Sequence, residues 1–172
     1  NIAIGEDALL ANTTGQNNIA IGDSALKTNT IGIDNTGVGR GALLLNLNGS
    51  YNVGIGALAM ALTTGSYNTA IGRNAGGSIT TGSKNTIIGN YSGNQGGLDI
   101  STASNYVVLS DGDGNPRAYW NGANATFNGD LTLTGTLSLA TLSVVGALSA
   151  TSLTTSTFTA LSGGTNTIAS AT

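Results

Sequence analysis

Side chains able to do acid–base, nucleophilic or metal chemistry are few in this chain, so each can be weighed in turn. There is no His and no Cys, which removes the commonest general base and metal ligand, every thiolate nucleophile and zinc thiolate, and any disulfide framework. Carboxylates are left. A glycosidase needs two of them flanking the scissile bond, one kept protonated by burial. Glu6 and Asp7 share one turn, and Asp23 falls 17 residues after Glu6. That column continues through Arg40, Ala57, Arg73 and Asn90, which reads as a solvated edge with an Asp23–Arg40 pair, not as a buried acid and base. Asp111-Gly-Asp113-Gly-Asn115 opens like a calcium loop. Its sixth position, which needs Gly, is Pro116, and its twelfth, where a bidentate Glu would close the shell, is Gly122. A hairpin turn is expected there instead. Gly54-x-Gly56-x-x-Ala59 fits a dinucleotide fingerprint, yet the same Gly-x-x-Ala spacing recurs along the chain without a βαβ unit around it. No catalytic residue, metal or cofactor is expected, and the chain is not read as an enzyme.

Aromatic chemistry gives one further candidate. Tyr51 and Tyr67 each stand directly before a recurring Asn, and Lys84 follows in the same repeat position. An exposed ladder of this kind could touch a sugar ring or a receptor, although cross-rung packing that simply stabilises a stack is the favoured reading. Tyr51, Tyr67 and Lys84 are therefore the candidate receptor contacts. The Asn-x-Ser/Thr triplets at Asn12, Asn48, Asn90 and Asn124 follow from composition. Five basic residues against eight acidic ones, a net charge of −3, leave no basic footprint for nucleic acid or anionic lipid, and no run approaches the roughly 18 apolar residues of a membrane span.

These side chains are positioned by a repeat. The pentad Asn-x-(Ala/Gly/Ile)-(Ile/Val)-Gly starts at Asn1, Asn18, Asn35, Asn52, Asn68 and Asn85, at spacings of 17, 17, 17, 16 and 17. Each is followed, three residues after its Gly, by Ala8, Ala25, Ala42, Ala59, Ala75 or Ser92, and Gly15, Gly32, Gly49, Gly65 or Gly82 stands three residues before the next Asn. Helical heptads do not fit this period, and β-branched residues between paired glycines indicate short strands separated by turns. Each unit is one coil of a parallel β-solenoid, with equivalent positions stacked about 4.8 Å apart. Ile4, Ile21, Val38, Ile55, Ile71 and Ile88 are then expected to form a buried aliphatic ladder. Ala3, Ala20, Gly37, Gly54 and Ala70 are expected on the other side of the strand, where another layer approaches closely; Ile87 interrupts them. The Asn column is expected to form a hydrogen-bond ladder. Gly at 27 of 172 positions and only 8% charged residues suit such close stacking, and 40% hydrophobic residues argue against disorder.

Asn-x-Ala-Ile-Gly with Gly-x-x-Ala in register over residues 1–97 resembles the head repeats of trimeric autotransporter adhesins of the YadA type and their relatives in phage tail fibres. The resemblance implies a left-handed roll and lateral association of three chains. The unit here is longer than the coils common in adhesin heads, and the Leu after the recurring Ala becomes Gly76 and Gly93.

Beyond Gly96-Gly97 the register is lost. Tyr106–Trp120 reads as strand, tight turn, strand, giving a hairpin connector over 98–128. Residues 131–172 carry no charge, and Leu131, Leu133, Leu137, Leu139, Leu142 and Val144 alternate with Thr, Ser or Gly, a pattern of half-buried strands. Three chains wound together would hide that face and pair its edges, so 129–172 is expected to be a trimeric β-shaft. The chain begins within a repeat, and further copies are expected before it. The whole reads as all-β: a β-roll of 17-residue coils, a hairpin and a shaft. The function expected is that of a homotrimeric structural segment of a phage tail fibre or virion appendage, a rigid spacer presenting parts that bind a host receptor or polysaccharide. The alternative is the head of a bacterial trimeric adhesin on the outer-membrane surface. A polysaccharide-cleaving spike is the least favoured reading.

Overall fold

The structure is a computed structural model that describes residues 1–132 and Thr134; the expected shaft lies outside the described residues. Six three-residue strands, β1 (Ile2–Ile4), β2 (Ile19–Ile21), β3 (Thr36–Val38), β4 (Val53–Ile55), β5 (Thr69–Ile71) and β6 (Thr86–Ile88), pair in parallel and in order. Ala3 sits beside Ala20, Gly37, Gly54, Ala70 and Ile87 in successive rungs. The 17-residue repeat is thus one coil of a β-solenoid. The parallel stacking continues past residue 97: β7 (Tyr106–Ser110) pairs in parallel with β6 as a seventh rung. Beyond it β8 (Pro116–Asn121) and β9 (Asn124–Phe127) add antiparallel strands, so the expected hairpin is present and joins the same nine-stranded sheet.

The two faces of the strands are opposite to the expectation. Ala20, Gly37, Gly54, Ala70 and Ile87 are buried, whereas Ile4, Ile21, Ile55, Ile71 and Ile88 remain 37–59% exposed. The small residues face inward because the layer across the coil is a column of larger ones, Leu9, Leu26, Leu43 and Met60. A Cβ on Gly54 would meet Leu43 Cγ at 3.1 Å, and one on Gly37 would meet Leu26 Cγ at 3.4 Å. The leucines themselves adopt left-handed backbone, Leu26 at φ 51° and Leu43 at φ 54°. Such a conformation costs roughly 1–2 kcal/mol per residue, which full burial of a Leu, about 1.5–3 kcal/mol, can offset.

Where that column ends, the core is refilled. Gly76 occupies the next leucine position, and the space beside it is taken by Met60, Ile79 and Ile87. This accounts for Ile87 in an otherwise small-residue column. The turn after β6 is shortened by one residue, although the coil as a whole is longer, Thr86 pairing with Val107, so Tyr91, not Ser92, stands in the alanine column: Gly76 N–H donates to Tyr91 O as Met60 N–H does to Ala75 O. Tyr91 is completely buried and its hydroxyl donates to Leu98 O at 2.8 Å. Ile100 and Val108 complete the core around it.

A polar spine runs through the interior beside the leucines. The backbone N–H of Asn18, Asn35, Asn52, Asn68 and Asn85 each donates to the side-chain Oδ1 of the Asn one coil earlier, at 2.8–3.0 Å. Their Nδ2 groups donate to Gly32, Gly49, Gly65 and Gly82 O, and in the last case to Ala103 O. A second ladder, not anticipated, lies alongside: Asn29 Nδ2 donates to Asn12 Oδ1 and Asn46 Nδ2 to Asn29 Oδ1, while both also reach the carbonyls of Gly32 and Gly49. Two amides therefore converge on one carbonyl, and the glycine that bears it has no room for a Cβ, which at Gly15 would meet Asn12 Oδ1, Gly32 O and the Nδ2 of Asn18 in the next coil. The second ladder stops at Thr63, whose buried hydroxyl has no partner.

Asn35 holds three of these links, to Asn52 N–H, Gly49 O and Asn18 Oδ1. Buried groups left unpaired cost about 1–3 kcal/mol each. Asn35→Ala should therefore destabilise the roll by roughly 2–4 kcal/mol, and Asn35→Asp, which keeps the acceptor and loses the donor, should also be destabilised at neutral pH. Thermal melts followed by circular dichroism check this; an unchanged melt for Asn35→Ala would mean the spine is incidental.

Candidate functional site

Glu6 and Asp23 are exposed at the outer turn, and Asp7 is half-buried beside them. The expected Asp23–Arg40 pair does not form. Asp7 instead pairs with Lys27, Oδ2 to Nζ 2.7 Å, because Lys27 lies in the next coil on the same turn. The hydrogen bond and charge of Asp7 hold the Lys27 ammonium above its usual range. At this level of exposure solvent screens the pair, which adds little to stability.

The Asp111 loop is a turn built around one carboxylate. Asp111 Oδ1 accepts from the N–H groups of Asp113 and Asn115 at 3.0 and 2.9 Å, and Oδ2 accepts from Arg117 Nε at 3.0 Å. These bonds close the connection between β7 and β8. The Asn115 N–H comes first among the causes that bring the carboxyl down to about 2, with the Asn115 side chain, Arg117 and the Asp113 N–H acting in the same direction and partial desolvation opposing them. Its acceptor capacity is turned onto its own loop. Gly54 and Gly56 belong to the solenoid rung of β4, where the fingerprint spacing has no helix to act with.

Tyr51 and Tyr67 do stack: ring centroids lie 4.8 Å apart with planes 13° from parallel, and the rings are 44% and 57% exposed. They share a column with Asn17, Asp34, Lys84 and Asn105, all at positive φ between 54° and 66°. Asn and Asp tolerate that conformation, whereas a tyrosine holds it at a cost. Tyr51 N–H donates to Ile33 O and Tyr67 N–H to Ser50 O, and Lys84 N–H to Ser66 O; these rung-to-rung bonds fix the column. Lys84 is exposed on the next rung.

One column that sequence reasoning assigned to the core lies on the surface. The outward positions of the strands, Ile4, Ile21, Val38, Ile55, Ile71, Ile88 and Leu109, run unbroken over seven rungs. Across β8 and β9 the row passes through Ala118, which is buried, to the exposed Phe127. A parallel column, Ile2, Ile19, Thr36, Val53, Thr69, Thr86 and Val107, passes to Trp120, which meets Phe127 edge-on at 6.0 Å. At about 4.8 Å per step this apolar face is roughly 29 Å tall over the parallel rungs. Alternation identified two faces of each strand; nothing in it marks which one the coil closes around.

Comparison with family models, curated proteins and solved structures finds no match.

The Asp111 carboxyl is held below its unfolded value of about 3.9, so it stabilises the hairpin above that pH and this contribution is lost as pH falls through about 2. Titration of the Trp120 fluorescence from pH 5 to 1.5 should show an acid transition that Asp111→Asn flattens. An identical acid limb in both proteins would show that Asp111 does not hold the turn.

Proposed function

We propose that this chain is a structural segment of a phage tail fibre or related virion appendage, a rigid homotrimeric spacer whose action is mechanical. The observation that carries the reading is the apolar outer face of the parallel rungs β1–β7, with Trp120 and Phe127 beyond it. Soluble monomers seldom leave a contiguous apolar surface of this extent uncovered. Completing the burial of a side chain already half covered gains about 1 kcal/mol, so repeated rungs favour association through this face. Three chains meeting on this face would bury it along an axis parallel to the solenoid and leave the outer turns wet. The uncharged alternation of residues 131–172 asks for the same arrangement in a shaft. Partners of the fibre are then a host receptor or surface polysaccharide presented to parts beyond this segment, with no role for nucleic acid or membrane insertion.

A second reading, the head of a bacterial trimeric adhesin on the outer-membrane surface, rests on the exposed Tyr51–Tyr67 stack beside Lys84. In it the roll itself touches a host or matrix surface. Replacing both tyrosines with Ser separates the two: a spacer loses some stability and keeps attachment, whereas an adhesin loses attachment at unchanged stability.

Ile55→Asp tests the main reading. The side chain points away from the core, so the coil should still form, with β-type circular dichroism retained. The charge would sit inside the seam between copies, where an unpaired buried carboxylate costs several kcal/mol. Sedimentation should change from trimer for the parent chain to monomer for the variant. A parent chain that sediments as a monomer would overturn the proposal.

A further inference from the structure

The apolar face has two rims, and their residues differ in character. Two positions before each of β2–β6 stand Asn17, Asp34, Tyr51, Tyr67 and Lys84; two positions after stand Asp23, Arg40, Ala57, Arg73 and Asn90. Asp34, Arg40, Tyr67, Arg73 and Lys84 are all exposed. Among the described residues the ion pairs are Asp7–Lys27 and Asp111–Arg117, so neither Arg40 nor Arg73 is neutralised within its own chain.

Resting on the trimeric reading above, we propose that the leading rim of one copy docks against the trailing rim of the next, with Asp34 paired to Arg40 and Tyr67 beneath or beside the Arg73 guanidinium of the neighbouring copy. The argument is one of symmetry. When copies close around an axis parallel to the solenoid, equivalent rungs lie at equal height and each contact is heterologous, leading edge to trailing edge. The two rim residues of one strand in a single chain then name the pair that meets between two chains. Strand β3 brings Asp34 to Arg40, an opposite-charge pair. Strand β5 brings Tyr67 to Arg73, an aromatic ring to a guanidinium. The others bring Asn17 to Asp23, Tyr51 to Ala57 and Lys84 to Asn90, so no rung opposes like charges. A slip of one rung would close no ring in either direction; in one direction it would also set Asp34 against Asp23 and Lys84 against Arg73, and in the other it would part Asp34 from Arg40. The rim pairs therefore reinforce the register that closure of the ring sets. In this arrangement the Tyr51–Tyr67 stack belongs to the seam, which weighs against its use as a receptor platform.

The chain has no Cys, so engineered thiols give a clean test on the full chain. With Asp34→Cys and Arg40→Cys combined, a short bismaleimide should give covalent dimers and trimers on a denaturing gel, while each single variant should stay at monomer mass. Charge exchange adds an energetic arm using residues the same columns already accept, since Lys84 and Glu6 occupy the equivalent positions. Asp34→Lys or Arg40→Glu alone should raise the concentration at which the assembly dissociates on the order of 10-fold, three weak contacts acting together, and the two combined should restore it. Circular dichroism of each variant reports whether the roll has formed. If the parent chain sediments as a monomer, the trimeric reading fails and this pairing with it. If it sediments as a trimer but the double-cysteine variant links no better than the single ones, the pairing is wrong and the trimer stands.

Discussion

One interaction recurs at every level of this fold: an asparagine side chain that accepts from the backbone of the next coil and donates to a glycine carbonyl of its own or the next turn. Each bond is individually modest, about 0.5–1.5 kcal/mol, but the group it satisfies is buried, and leaving it unpaired would cost more than the bond returns. Because the Asn1, Asn18, Asn35, Asn52, Asn68 and Asn85 side chains each serve the next rung, the coils cannot slide past one another by less than a whole repeat. The glycines of the Gly15 column follow from this, since two amides converge where a Cβ would stand. So does the period of about 17, which must return each Asn to the same place.

The spine also decides where the aliphatic residues go. A coil this thin has room inside for two ladders of amides, one column of leucines and two columns of small residues, Ala20–Ala70 in the strands and Ala25–Ala75 in the turns. No space remains for a second isoleucine column, which is displaced to the outside of the strands. A fold that settles its interior with polar bonds and small residues thereby presents apolar surface outward, and its need for partners is a consequence of its core. The hairpin β8–β9 extends that face with Trp120 and Phe127, so the face does not end where the parallel rungs end.

Much of this is legible in the sequence. Period, strand positions, the first asparagine ladder, the turn at Asp111 and the Tyr51–Tyr67 stack all follow from residue types recurring in register. Three things did not. The facing of the strands was reversed because period-two alternation carries no sign, and a buried aliphatic stripe is the usual case; the telling detail was the recurring Leu9, Leu26, Leu43 and Met60, which need the inside and require small residues opposite. The second ladder of Asn12, Asn29 and Asn46 was hidden because its residues looked like loop composition. The pairing of Asp7 with Lys27 in place of Asp23 with Arg40 depends on the path of a turn that spacing alone does not describe.

The central claim, that buried amides and not the isoleucine stripe hold the coils together, is tested most directly by hydrogen exchange at the backbone amides of Asn18, Asn35, Asn52, Asn68 and Asn85. If each is closed by the side chain of the preceding Asn inside the coil, these five should exchange together, at the slowest rate in the roll, through global unfolding. Exchange of these amides as fast as those of the outer turns around Glu6 and Asp23 would contradict the account.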